Sequence, residues 1–194
     1  MAYSESLAAL ARSAEAHGIA LSVETPDGER STVETIFGDA LAAAIDEAGY
    51  PGGLEVPLSA EDLYLYPLAE LEQRQIGYRT DANSGGRAPG WDQERYVIAD
   101  WAANPVSIGR DGGLAYSVHG RGTWDYRPIA PDLGAFLSVL ARWIDYYRGE
   151  RGGKILDDDF EVLPEVARQV RQDVMEGLSE READNFSDFL LGTI

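Results

Sequence analysis

Apolar positions recur along the first fifty residues at spacings of three and four. Leu7, Leu10, Ala11 and Ala14 fall on one face, which predicts an amphipathic helix capped by Ser4 or Ser6 and stopped at Gly18. Ile19, Leu21 and Val23 then alternate with small or polar residues, the period of a strand, and Pro26-Asp27-Gly28 supplies turn chemistry. A helical stripe resumes through Ile36, Ala40, Leu41, Ala44, Ile45 and Ala48 towards Gly49. Ser31 and Glu34 are spaced as a capping box at its start, and Gly38-Asp39 is a point where it can break.

After the loop Tyr50-Pro51-Gly52-Gly53, residues Leu54 to Leu58 read as an edge strand, because Pro57 cannot donate to a ladder. Leu63-Tyr64-Leu65-Tyr66 reads as a short strand running straight into a helix start at Pro67 to Leu71. Residues 80 to 90 are a surface loop by their Asn, Ser, Gly and Pro content. Three strand-like runs follow: Tyr96 to Ala99, Pro105 to Ile108 and Leu114 to Val118, the last two joined by an Asp-Gly hairpin signal at Asp111-Gly112. Pro131-Asp132-Leu133 then opens a helix whose Leu133, Phe136, Leu137, Leu140, Ala141 and Ile144 are suited to cover a sheet. The tail is again helical, with Val166, Val170 and Val174 in register and a Ser179/Glu182 capping box opening a last helix. The expected architecture is α+β: a mainly antiparallel sheet flanked by helices, with additional helices at the C-terminal end.

Charge changes this picture. The chain of 194 residues carries a formal net charge of −18. Residues 1–76 hold 14 acidic and 3 basic residues, residues 77–153 hold 9 of each, and residues 154–194 hold 11 and 4. The excess of negative charge therefore sits in the two flanks. Such a field repels nucleic acid and anionic lipid and favours encounter with basic proteins. No cysteine is present, so thiolate metal sites, disulfides and a cysteine nucleophile are excluded. Residues Met1 to Arg12 lack the basic start and apolar run of a signal peptide, and no stretch approaches the roughly 18 apolar residues of a membrane span. A soluble, cytoplasmic protein is the expectation.

Candidate chemistry is sparse. The two histidines, His17 and His119, are too few for most histidine metal sites. His17 precedes a helix stop, where its ring suits the C-terminal dipole, and His119 leads into a tight turn. Asp81-x-Asn83-x-Gly85-Gly86 with Asp92 is only part of a calcium loop, since the fifth position has no side-chain ligand and Pro89 interrupts it. Asp157-Asp158-Asp159 with Glu161 reads as a solvated charge run. Gly120-Arg121-Gly122 lacks the third glycine and the crossover helix of a dinucleotide site. These features leave no catalytic residues, cofactor or metal to assign, and they point to a binding protein.

The order of features between Trp91 and Leu140 is informative beyond its parts. Trp91-Asp92, Val97-Ile98-Ala99-Asp100, Asn104-Pro105-Val106-Ser107-Ile108, Val118-His119-Gly120, Trp124 and Ile129 to Leu137, preceded by Leu63 to Leu71, resemble a SUKH superfamily domain. The match spans about residues 54–145. It implies one domain over residues 1–194, with an N-terminal extension at 1–53 and a C-terminal helical extension at 154–194. The resemblance implies an α+β binding module without catalytic residues, of the kind found in bacterial immunity proteins that neutralise toxins, often nucleases, or in fungal cell-wall-assembly regulators. Its expected partner is a protein, a basic toxin domain, to which the acidic flanks are suited; it sets no oligomeric state. Two aromatic–carboxylate pairs at strand ends, Asp100 with Trp101 and Trp124 with Asp125, are the candidate partner-binding residues if their rings are exposed.

Overall fold

The computed structural model describes residues 2–59 and 61–193. Its centre is a six-stranded antiparallel sheet in which every strand pairs with its neighbours in sequence: β1 (Glu55–Val56), β2 (Leu63–Leu65), β3 (Arg95–Trp101), β4 (Asn104–Gly109), β5 (Leu114–Tyr116) and β6 (Arg127–Ala130). Five helices surround it: α1 (Tyr3–Ala16), α2 (Arg30–Ala48), α3 (Leu133–Ile144), α4 (Pro164–Gln169) and α5 (Glu180–Leu191). The fold is thus α+β.

The prolines of the two marginal strands sit where a sheet edge tolerates them. Pro57 ends β1 after two residues, and Pro128 lies in β6, which bonds to β5 alone. β3 and β4 in the middle are buried almost throughout, as strands covered on both faces must be. A bulge between Val97 and Ala99 adds a residue to β3 in its pairing with β4.

α3 is the helix around which the rest is assembled, since only Ala135 and Arg142 of its residues escape burial. Asp132 caps it, accepting the Ala135 amide at 2.7 Å. The Trp143 indole donates to the Pro57 carbonyl at 2.7 Å, tying α3 to the end of β1. α1 closes its outer side through small residues: the Ser138 hydroxyl donates to Ser6 at 2.9 Å, and Gly134 faces the Tyr3 backbone, where a Cβ would stand 3.5 Å from the Tyr3 Cα, at ordinary contact distance. The Arg142 guanidinium donates to the Val174 and Glu176 carbonyls, each at 2.8 Å, and so fixes the tail after α4.

The C-terminal helices pack on the sheet and form no separate arm. Phe189 of α5 stands between Trp101 and Tyr116, with centroids at 5.5 and 5.1 Å, and the Asn185 amide donates to Pro128 of β6 at 2.9 Å. Val166, Val170 and Val174 are buried as their spacing predicts, although the helix loosens into a π-helical turn over Val170–Val174. Ser179 and Glu182 form the expected capping box of α5.

Several local expectations are corrected. Ile19 to Val23 forms no strand; the adjoining Glu24 makes one isolated bridge, to Tyr50. α1 begins at Tyr3 behind Ala2, whose amide the Glu5 carboxylate accepts at 3.1 Å, so Ser4 and Ser6 lie inside the helix. α2 begins at Arg30, and Glu34 bonds to Arg30 and makes no capping box with Ser31. The break at Gly38 is present, with φ 74° and ψ 162°.

Candidate binding surface

Register places the first site residue. Tyr64 of β2 pairs with Asp100 of β3, and side chains alternate along a strand, so Tyr64 and Asp100 share one face and Trp101 takes the other. Beyond β2 the chain turns at Pro67 into two short 3₁₀ segments, Leu68–Glu70 and Gln73–Gln75, the second of which meets β3 at Val97 through Gln75. The Tyr66 hydroxyl donates to Asp100 at 2.5 Å. Burial of the phenol, that hydrogen bond and the adjacent carboxylate charge push the Tyr66 pKa well above that of a free tyrosine.

Arg74 reaches back over the same rings, with its guanidinium carbon 4.4 Å from the Tyr66 centroid and 5.7 Å from that of Tyr64. Its other edge donates twice to Glu70 Oε2, at 2.9 and 2.7 Å. Tyr66, Glu70, Arg74, Ile76, Tyr78 and Asp100 together line an open cleft of about 620 Å³. Asp100 makes no ion pair among the described residues, so this half-buried carboxylate is held by a neutral phenol.

An aromatic layer continues from the cleft. Tyr78 lies 5.2 Å from Trp91 and 5.7 Å from Trp124, and Trp91 lies 5.2 Å from Trp124 and 5.4 Å from Tyr126, all tilted or edge-on. Backbone contacts fix the layer: the Trp91 indole donates to the Arg95 carbonyl at 3.0 Å, and the Tyr126 hydroxyl accepts the Asp92 amide at 2.7 Å. Trp124 is half-buried, beside the exposed His119, whose ring centroid is 6.0 Å away.

The four candidate residues therefore separate. Asp100 and Trp124 lie on one surface, joined through Tyr78. Trp101 does not belong to it: at 6 % exposure it is packed under Phe189, because alternation turns it to the helical side of the sheet. Asp125 is exposed, but Arg127 pairs with it at 3.0 Å and offsets its charge. Tyr66, Arg74 and Tyr78 are additional members. For the first two a signal existed: Tyr64 and Tyr66 are two apart in the strand-like run Leu63 to Tyr66, and Glu70 and Arg74 are four apart in the segment that follows. Tyr78, in an irregular turn, had none.

The groups of this surface are ring faces and edges, the Asp100 carboxylate and the internally paired Glu70 and Arg74, all suited to contact. Elsewhere, Ser13, His17 and Asp145 come together, but Asp145 is the middle member, accepting from the Ser13 hydroxyl at 2.9 Å and meeting His17 Nε2 at 3.2 Å. A base-activated nucleophile needs the imidazole in the middle. Asp81 Oδ1 accepts from the Asn83 and Ser84 amides and the Ser84 hydroxyl, so its own turn already uses it. No three metal-ligating side chains converge among the described residues. No family model, curated protein or solved structure matches the chain.

Proposed function

We propose that this chain is a non-catalytic protein-binding module that neutralises a basic partner, a toxin domain such as a nuclease, by covering it. The observation that carries this reading is the placement of charge. Residues 1–76 and 154–194 carry the net negative charge, and most of their carboxylates stand exposed around a central block in which acidic and basic residues balance. A basic nuclease face is complementary to such a surface, and long-range attraction raises the rate at which the two meet. The SUKH-like order of features and the aromatic surface ending at Asp100 support the same reading. In it, Tyr78 and Trp124 supply rigid apolar contact and Asp100 receives a basic side chain.

The test is co-expression with the C-terminal domain of any large secreted protein encoded beside its gene, scoring growth and complex formation at low and high salt. Rescue of growth with a complex that weakens as salt rises supports neutralisation through acidic complementarity. Intact binding without rescue moves the reading to a scaffold or regulator, and neither rescue nor complex removes it.

A further inference from the structure

Phe160 is 83 % exposed, against 48 % for Ile76 and 46 % for Val23, the other large apolar side chains that stand out among the described residues. It does not hang from a loose loop. The segment Asp157–Glu161 is a tight hairpin closed by a bridge between Leu156 and Val162 and rooted at the buried Ile155. Asp157 Oδ1 accepts the amides of Asp159 at 2.9 Å and Glu161 at 3.0 Å, while its carbonyl accepts the Phe160 amide at 3.1 Å. The hairpin thus fixes the backbone from which the ring projects outward.

That conformation is unfavourable within the free chain. Phe160 has φ 62°, in the left-handed region that a bulky side chain disfavours, and the chain otherwise fills such positions with glycine except at Ala102 and Ala103. The ring is also hydrated, so neither its backbone nor its side chain gains from being phenylalanine here. Around it stand Asp157, Asp158, Asp159 and Glu161, all exposed and none ion-paired among the described residues.

We infer that Phe160 is an anchor for a partner protein, seating in an apolar socket rimmed by lysine or arginine. The inference rests on the protein-binding reading above and names a contact for it. An aromatic centre enclosed by charges of one sign has the layout of an interface hot spot with a polar rim, and the sign requires a basic rim opposite. The same four carboxylates exclude an anionic membrane or nucleic acid as occupant. The anchor is independent of the cleft at Asp100, and binding through both sites would multiply their affinities.

The test places p-benzoylphenylalanine at position 160, and separately at Val23, in the full chain and irradiates host cells. The adduct is then identified, purified and titrated against the variants. The expected result is a discrete adduct from position 160 alone, with a protein of net positive charge. Phe160→Ser should weaken that complex at least tenfold, and Asp158→Asn with Asp159→Asn should weaken it at low salt but not at high salt. Phe160→Gly should abolish tight binding while raising Tm by about 2–4 °C, which separates loss of contact from loss of fold. No adduct, equal labelling at Val23, a second copy of the chain or an acidic protein as adduct, or a Phe160→Ser affinity within twofold of the parent overturns the inference. A basic partner that is no toxin leaves the anchor standing and removes the neutralisation reading. A rescuing toxin complex indifferent to Phe160→Ser does the reverse.

Discussion

The carboxamide of Gln75 is held at three points. Its nitrogen donates to the Leu71 and Val97 carbonyls at 2.7 and 2.9 Å, and its oxygen accepts the Val97 amide at 3.0 Å. β2 is too short to reach Val97, so one side chain takes the place of a strand residue and satisfies both backbone groups. Gln75→Ala leaves them buried and unpaired, and should cost about 2–4 kcal/mol in denaturant unfolding. At the candidate surface, Asp100→Asn should leave Tm within a few degrees yet weaken partner binding about tenfold, whereas Trp101→Ala should cost about 3–5 kcal/mol of stability. That contrast marks what was legible at this scale. The sequence pattern names Asp100 and Trp101 as neighbours, but only the register of β3 against β2 says which one faces the cleft. The buried phenols add a pH dependence. Burial raises the pKa of Tyr3, Tyr50 and Tyr66, with charge or hydrogen bonding adding to the last two. Their neutral forms favour the fold, so this contribution is fully present below the unfolded tyrosine value of 10.0 and is lost as pH rises beyond it. Tyrosinate absorbance should accordingly show a fraction that ionises only as the chain unfolds.

At the level of elements, the hairpin between β3 and β4 turns on Ala102 and Ala103, both left-handed at φ 50° and 62°. A two-residue turn of this kind favours Asn-Gly, so replacing the pair with Asn-Gly should raise stability by about 1–2 kcal/mol. An alanine pair carries no turn signal, which is why the strands on either side were legible and their connection was not. β6 escaped notice for a related reason, since Pro128 argues against a strand and Arg127 joins a margin where one row of hydrogen bonds suffices. The reverse error at Ile19 to Val23 arose because alternation reports a half-buried extended chain, and whether a strand forms depends on a free edge to join. Helix stops were read more reliably than starts. Gly18 and Gly49 stand at positive φ where glycine alone is at ease, but the first turns of α1 and α2 are closed by Glu5 and by no side-chain cap.

Over the whole molecule, 34 carboxylates against 16 basic side chains make self-repulsion a standing cost. Raising ionic strength from about 0.01 to 0.15 M shortens the Debye length from about 30 to 8 Å and should raise Tm, while the same salt weakens binding to a basic partner; calorimetry and titration together should show the two trends diverging. The architecture was legible because each strand follows its neighbour in sequence, and the packing of the two acidic flanks was not, because it joins segments far apart. The contact between Ser6 of α1 and Ser138 of α3 spans 132 residues. On the ribosome, at about 5–20 residues per second, α1 emerges on the order of ten seconds before the helix that covers it. Throughout that interval Leu7 and Leu10, which end at 3 % and 0 % exposure, lack the cover that α3 provides. The sheet can assemble strand by strand during synthesis, while α1, made before every strand, is among the last elements to find its seat, so nascent chains halted before Leu133 are the ones that a chaperone has most reason to hold.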